Sequence, residues 1–176
     1  MDGVDDAIEA AWRARRERRH PEAERGLRDA IEASRRSGNG RQLISALGKL
    51  AHVLRDLDRE QEALPVTQEA VDVCRAEGDG LLPAPTVRHL GDLHRDAGRV
   101  MDAERCYDEA LSLYRAAQSP DALDFANALR PAALLRVSQA DRVQARALFA
   151  EARELYQQAG IAAGVEECAS QLARLV

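Results

Sequence analysis

A period of about 40 residues in the placement of small side chains constrains the fold of this chain more than any other feature. Four alanines are separated by 40, 40 and 42 residues: Ala23, Ala63, Ala103 and Ala145. Each has a second alanine seven residues later, and each has an alanine or glycine twelve residues earlier: Ala11, Ala51, Gly91 and Ala133. A large or branched residue stands four residues after each: Leu27, Thr67, Tyr107 and Phe149. Agreement of four registers at four positions indicates a repeated structural unit.

The segments between the repeat positions have the composition of helices, because Ala, Leu, Arg, Glu and Gln are strong helix formers. Short breaks divide them, at residues 18–22, 37–40, 57–60, 77–85, 97–99, 118–121, 138–141 and 159–164. The breaks predict nine helices of roughly 15–20 residues each, a usual length in globular proteins. Two antiparallel helices approach closely only where a side chain is small, so the small residues mark helix crossings within each hairpin.

Glycine and proline set the predicted ends of these helices. Left-handed glycines commonly end a helix, which is the role expected of Gly38, Gly78, Gly98 and Gly160. Pro21 and Pro120 suit a first helical turn, where Asp121 complements the helix dipole. Pro65 and Pro131 fall inside predicted helices, and because the repeat register continues past both, we expect these helices to bend rather than end.

The pattern resembles the tetratricopeptide repeat family. The segment from Leu90 to Leu111 matches the family at Leu90, Gly91, Gly98, Ala103, Tyr107 and Ala110, and departs from it at Val87 and at His94, where an aromatic residue is usual. The second repeat matches through Leu47, Leu50, Ala51, Leu54, Ala63 and Ala70, and the fourth through Leu129, Ala133, Ala145, Phe149 and Ala152. The first is the most degenerate, with Ala7, Ala10, Ala11, Ala14, Ala23, Leu27 and Ala30.

A period of 40–42 residues exceeds the usual 34 of the family. It is similar to the long-helix variant of kinesin light chains and bacterial peptide-pheromone sensors. The resemblance implies an all-α fold, a right-handed α-solenoid of four helix-turn-helix repeats over residues 1–176 as a single domain. The repeats are expected at about 2–38, 39–78, 79–118 and 119–159. A capping helix at about 161–175 should pack through Ile161, Val165, Cys168, Leu172 and Leu175.

Composition narrows the class of function. The formal net charge of −5 and the 3% aromatic content disfavour a nucleic-acid partner. No apolar stretch is long enough to cross a membrane, and the acidic start differs from a signal peptide. Three widely separated cysteines, Cys74, Cys106 and Cys168, argue against a disulfide framework and are expected to be buried. These features predict a cytoplasmic protein.

In the implied fold, the first helix of each repeat lines a concave groove. The helical period assigns residues to that face. The predicted partner-binding residues are Trp12, Arg16, Ser45, His52, Arg55, Arg88, Asp92, Arg95, Asn127 and Arg130, accompanied by Asp5, Glu9, Asp56, Asp96 and Leu134.

The groove arginines leave two interpretations open. Arg55, Arg88, Arg95 and Arg130 could bind a partner segment that carries carboxylates, since guanidinium groups bind them bidentately. Alternatively they pair within the chain, as Arg88 and Asp92 could do across one helical turn. The chaperone-tail clamp of the family expects Lys and Asn where this chain has Gly48 and His52, so that function is not implied.

Two features near the N-terminus carry similar alternatives. Trp12 is either a binding anchor or an aromatic packed between the first two hairpins. The stretch 12–20 holds five arginines and could bind phosphate. The predicted helix that contains this stretch begins with acidic residues, Asp2, Asp5, Asp6 and Glu9, and ends with these arginines. This order complements the helix dipole without any ligand, and that simpler interpretation is favoured.

No catalytic or metal motif is present in the sequence. His89 and His94 point to different helix faces, and HExxH, GxSxG and phosphate-loop patterns are absent. We therefore predict a protein without cofactor or metal that is not an enzyme. It is expected to bind a peptide or helical segment of a partner protein in the groove. The alternative is a sensor that binds a small ligand or a short signalling peptide, and a homodimer through the weak first repeat is a further expectation.

Overall fold

The computed structural model describes residues 3–77 and 84–175. The described residues form helices and short turns, with no strand among them. The helices are α1 (Gly3–Arg16), α2 (His20–Ser37), α3 (Gly40–Asp56), α4 (Glu60–Glu77), α5 (Ala84–Asp96), α6 (Val100–Ala116), α7 (Ala122–Ser138), α8 (Arg142–Gln158) and α9 (Ala162–Arg174). The all-α helical-repeat class is confirmed. Three helices are shorter than predicted: α1 has 14 residues, and α5 and α9 have 13 each.

Glycine ends helices where expected. Gly38, Gly98 and Gly160 have φ values of 68°, 72° and 72°. The Gly78 prediction, with most of the break at 77–85, lies outside the described residues.

Of the two prolines predicted to lie in a first helical turn, one is confirmed and one is wrong. Pro21 occupies the first turn of α2, as predicted. Pro120 does not lie in a first turn. It precedes Asp121, which is the N-cap of α7 and accepts a hydrogen bond from the Asp124 amide. The N-cap residue adopts extended rather than helical dihedrals, so α7 starts at Ala122, two residues after Pro120.

The two internal prolines do not end their helices. Pro65 lies within α4 and Pro131 within α7, and both helices continue past them. The neighbouring repeat contacts hold these segments helical at the cost of one backbone hydrogen bond each.

The described contacts divide the chain into two compact units, residues 1–82 and 83–176. Unit 1 contains α1 to α4, and each helix packs on the next, with an additional contact of α1 on α3. Unit 2 contains α5 to α9, again packed in sequence, with α5 also touching α7. The predicted single domain and the right-handed superhelix remain predictions.

The repeat positions form the cores of both units. The four alanines that define the period are fully buried, and Leu27, Thr67, Tyr107 and Phe149 are 0–2% exposed. The predicted crossings are tight: a Cβ atom added at Gly91 would lie 2.8 Å from Cε1 of Tyr107, and one at Gly26 would lie 3.0 Å from Cβ of Ala11. Small residues are therefore required where helices of one hairpin cross, as the pattern predicted.

The last helix packs through most of the residues expected of a cap. Cys168 and Leu175 are buried, and Val165 and Leu172 pack against the core of unit 2. Ile161 was expected on the same face, but it is exposed because it is the N-cap residue that precedes α9. Gly164 allows close approach to α8, since a Cβ atom there would lie 2.6 Å from the Tyr156 ring.

The three cysteines are buried, as expected, and none of them forms a disulfide within the described residues. Burial raises the pKa of Cys74 and of Cys168.

Candidate functional site

The predicted binding residues of unit 1 lie on α1 and α3, which touch each other. The Trp12 and His52 rings have centroids 5.8 Å apart at an angle of 60°. The Arg15 guanidinium lies 4.5 Å from the Trp12 ring centroid, and the Lys49 ammonium lies 5.6 Å from it. Trp12 is half-buried and is not part of the core. We call Trp12, Arg15, Lys49 and His52 the tryptophan face.

Short polar contacts extend the tryptophan face. Lys49 donates a hydrogen bond to Ser45 at 3.4 Å and lies 3.3 Å from the Glu9 carboxylate. Arg15 donates two hydrogen bonds to Asp56, at 2.7 and 3.0 Å. Ser45 and His52 therefore lie near Trp12, and their part in binding a partner stays a prediction. Arg55 is half-buried on α3, and Arg16 is exposed at the end of α1.

The predicted residues of unit 2 form an internal polar network instead. Arg88 donates to Asp92 at 2.9 Å, and both side chains are only 18% exposed. The Tyr107 hydroxyl, which comes from α6, donates to the other Asp92 oxygen at 2.8 Å. Arg95 donates to Asp96 and lies 3.6 Å from Asp92. Asp92 therefore ties α5 to α6.

Electrostatics keep Asp92 charged. Burial alone raises the pKa of Asp92, but a hydrogen bond with His89, the charge of Arg88 and the bond from Tyr107 together lower it below its usual value. Burial and the Asp92 charge raise the pKa of Tyr107, so its hydroxyl stays protonated and remains a donor.

The remaining predicted residues of unit 2 lie on α7 and are also engaged internally. Asn127 accepts a hydrogen bond from the Tyr156 hydroxyl of α8 at 2.9 Å. Arg130 donates two hydrogen bonds to Glu167 of α9, at 2.9 and 3.1 Å. Leu134 is half-buried against the core.

Three of the four arginines that were candidates for an acidic partner thus pair with carboxylates of the chain: Arg88, Arg95 and Arg130. This is the alternative of intramolecular pairing that the sequence left open. A partner carboxylate would have to displace an existing ion pair at each of them.

Sequence reasoning missed several residues of these faces. Arg15 and Lys49 were not expected to border Trp12, and Glu167 was not expected to pair with Arg130. A signal was present, because complementary charges recur about one repeat apart: Arg15 and Asp56 are separated by 41 residues, Arg130 and Glu167 by 37, and Arg115 and Glu151 by 36. Residues one repeat apart face each other in a stack of repeats.

The described residues contain neither a metal-binding cluster nor a membrane-spanning helix. Within 3–77 and 84–175, no group of three or more His, Cys, Asp or Glu side chains is arranged to hold a metal ion. No helix in that part of the chain combines the length and apolar character needed to span a membrane.

The comparison with protein families gives a match over most of the second unit. The family model of the tetratricopeptide repeat matches residues 83–158, and this segment is similar to tetratricopeptide repeats. Curated protein sequences gave no match.

Solved structures extend the tetratricopeptide-like fold to nearly the whole chain. BtubC (BKLC) from P. vanneervenii is 16% identical with a TM-score of 0.71, over 98% of this chain and 88% of that one. A structure of nearly identical TPR-like repeats, assigned to a kinesin light chain of Podosopora anserina, is 13% identical with a TM-score of 0.70, over 98% and 94%. The apo form of RapI is 13% identical with a TM-score of 0.79 over 91% of this chain, which spans only 59% of RapI. These likenesses establish the fold, and the expected similarity to long tetratricopeptide repeats is confirmed.

Proposed function

We propose that the protein is a non-enzymatic interaction module that binds a peptide or helical segment of a partner protein, with the tryptophan face as its main contact. Trp12 carries this proposal. It is the only tryptophan of the chain and lies half-buried beside two cations rather than within the core. Aromatic side chains that remain accessible in such settings are frequent anchors of protein interfaces.

The charges around Trp12 indicate the chemistry of the segment that would bind. Arg15 and Lys49 lie beside the ring, each paired with one carboxylate at the edge of the face. Lys49 and Glu9 form a partly exposed pair of little intrinsic stability, so a partner carboxylate can replace Glu9 at low cost. We infer a segment with an aliphatic or aromatic side chain for Trp12 and an acidic residue for Lys49.

In this proposal, α5 and α7 of unit 2 contribute less to binding than the tryptophan face does. Their arginines are paired internally, so their groove positions (Arg88, Asp92, Arg95, Asn127 and Arg130) would guide register and specificity more than affinity. The location proposed is the cytoplasm, since buried cysteines that form no disulfide in the described part of the chain suit a reducing compartment.

The experiment compares three immobilised forms of the chain in lysate of the native host. The wild type is set beside a face variant, Lys49→Glu with His52→Glu, and a matched control, Arg25→Glu, which changes an exposed residue of α2. We expect a protein that is retained by the wild type and the control and lost by the face variant. The partner segment, once mapped, should shift the emission of Trp12 on titration, and that emission reports this face alone.

Two results would contradict the proposal. Retention of the same protein by all three forms would place binding away from the tryptophan face. Retention of no protein, combined with a Trp12 emission change on adding the small-molecule fraction of the lysate, would favour the sensor alternative. Self-association, seen as a concentration-dependent mass in sedimentation, would identify the partner as a second copy of the chain.

A further inference from the structure

A basic cleft lies at one edge of unit 1, where three helix ends meet. Helix α1 ends at Arg16, α2 begins at His20 and α3 ends at Asp56. The cleft has a volume of about 430 Å3 and is lined by Arg15, Arg16, Arg18, His20 and Asp56. Four of its five lining side chains are basic.

The turn between α1 and α2 fixes the position of these side chains. Arg18 has φ of 60°, its amide donates to the Arg15 carbonyl at 2.9 Å, and the next amide donates to the Ala14 carbonyl at 2.8 Å. This is the hydrogen-bond pattern of a left-handed helix end. Gly98 occupies the same kind of position after α5, so the turn itself has no need of an arginine side chain.

Internal pairing neutralises only part of the charge in the cleft. Arg15 is held by both oxygens of Asp56. Burial alone raises the pKa of Asp56, but the Arg15 hydrogen bond and charge, with smaller contributions from His20 and His52, lower it, so this carboxylate stays ionised. Arg15 and Asp56 therefore cancel.

Arg16 and Arg18 differ from Arg15 in their pairing. Neither guanidinium group has a hydrogen-bond or ion-pair partner among the described residues. By contrast, Arg59 lies between two carboxylates, Glu24 and Glu62. His20 adds a ring nitrogen, Nδ1, which is buried and has no partner in the described part of the chain.

The cleft therefore carries a net charge of two positive units with His20 neutral: three arginines against one aspartate. A phosphate monoester carries about 1.5 to 2 negative charges at neutral pH and offers three acceptor oxygens. Guanidinium groups match those oxygens in geometry as well as charge. The positive end of α2 adjoins the cleft, because His20, the first residue of that helix, is one of the lining residues.

We propose that this cleft binds a phosphate monoester group, through Arg16 and Arg18 with His20 as a third contact. The cleft borders the tryptophan face through Arg15, but the proposed phosphate contacts, Arg16, Arg18 and His20, lie outside that face. Its failure would leave the proposed protein-binding function standing, and the reverse also holds.

The test titrates the protein with inorganic phosphate in an otherwise phosphate-free buffer of constant ionic strength. Binding is detected by NMR of the arginine side chains. The cleft variant is Arg16→Gln with Arg18→Gln. The matched control is Arg13→Gln with Arg25→Gln, two exposed arginines outside the cleft lining. Because the Arg16 and Arg18 side chains make no hydrogen bond or ion pair in the part of the chain that the structure describes, all three proteins should keep the same circular dichroism and melting temperature.

We expect saturable shifts of the Arg16 and Arg18 signals in the wild type, an affinity at least tenfold lower in the cleft variant, and no change in the control. A tenfold loss is a modest expectation for removing two charge-assisted contacts. Shifts that never saturate, or equal affinity in cleft and control variants, would overturn the proposal. Two further titrations distinguish the source of the group: a phosphoserine peptide and glycerol phosphate. Tighter binding of the peptide identifies a phosphorylated protein, and equal binding identifies a small phosphorylated molecule.

Discussion

The first helices of the two units use the same kinds of side chain in different ways. In unit 2, the polar residues of α5 and α7 bond to tyrosines of the following helices, Asp92 to Tyr107 and Asn127 to Tyr156. In unit 1, the equivalent helices contact each other near the surface, through the rings of Trp12 and His52 and through the ion pair of Arg15 with Asp56. The same repeat pattern thus leaves one face committed to packing and the other accessible.

For α3 and α5, the difference involves the residue four positions after the period alanine. Tyr107 fills this position in unit 2 and brings a hydroxyl to Asp92, whereas Thr67 in unit 1 donates its hydroxyl to the Ala63 carbonyl of its own helix. Thr67 therefore does not give α3 the hydrogen bond that Tyr107 gives α5.

The largest expected effect concerns the helix crossing in unit 2. Gly91→Ala should lower the free energy of unfolding of unit 2 by about 3 kcal/mol, because the new Cβ would meet a buried ring that cannot move away. Gly48→Ala in unit 1 is the matched substitution, since nothing lies within 4 Å of a Cβ there. It should stabilise unit 1 by about 0.5–1 kcal/mol through helix propensity. Hydrogen exchange resolved by peptide measures each unit separately, and equal effects in the two would break the comparison.

Removal of an aspartate from each unit gives the next largest difference. Asp92→Ala should destabilise unit 2 by about 2 kcal/mol, because it leaves the Tyr107 hydroxyl and the Arg88 guanidinium without their acceptor. Asp56→Ala should cost unit 1 less than about 1 kcal/mol, since Arg15 can turn to solvent. Chemical denaturation followed by exchange of each unit checks both values. A larger loss for Asp56 would show that the surface contacts of unit 1 are structural as well.

Two hydroxyl deletions provide a finer test. Tyr156→Phe should cost about 1 kcal/mol, because Asn127 loses a donor from another helix. Thr67→Val should change stability by less than about 0.5 kcal/mol, since the Ala63 carbonyl keeps its helical bond. The measurement is the same unfolding assay with each variant beside the wild type. If the threonine substitution proves the more costly, the hydroxyl anchors of unit 2 are not what distinguishes the units.

The smallest expected effect is a loss of stability of unit 2 as the pH falls. His94 is 7% exposed, and its Nδ1 has no partner among the described residues. Burial lowers the pKa of His94 below 6.5, with Arg99 and Arg105 adding to this and Asp102 opposing it. The unfolded chain therefore takes up a proton first as pH falls. Stability is full above pH 6.5 and is lost as pH falls from there through the lower pKa of the folded state.

We expect the melting temperature of unit 2 to fall between about pH 7.5 and about pH 5.5, a range above the titration of ordinary carboxylates. His94→Phe restores the aromatic residue usual at this position and should flatten that dependence. If this variant keeps the full pH dependence, the dependence comes from another titratable group.

Much of the fold could be predicted because it depends on short-range rules and one long-range period. The alanine register located the buried crossings, and Gly38, Gly98 and Gly160 ended helices where left-handed residues were needed. The prediction failed where two local rules competed. Pro120 and Asp121 both signal a helix start, and the N-cap hydrogen bond of Asp121 prevailed.

The candidate site was harder to predict, because the sequence assigns residues to a face without showing what lies opposite. It placed Ser45 and His52 with Trp12, which is found. It could not choose between a partner and internal carboxylates for Arg88, Arg95 and Arg130. That choice depends on where Asp92, Asp96 and Glu167 lie in space.

The sequence by itself determined the all-α class, the repeat register and the buried small residues, because each follows from periodicity and local backbone preference. Only the tertiary structure decided which charges neutralise each other and which remain available, because electrostatic pairing depends on distances between side chains one repeat apart. Arg15 and Arg16 are adjacent in the chain, yet the first is held by Asp56 and the second opens onto a cleft.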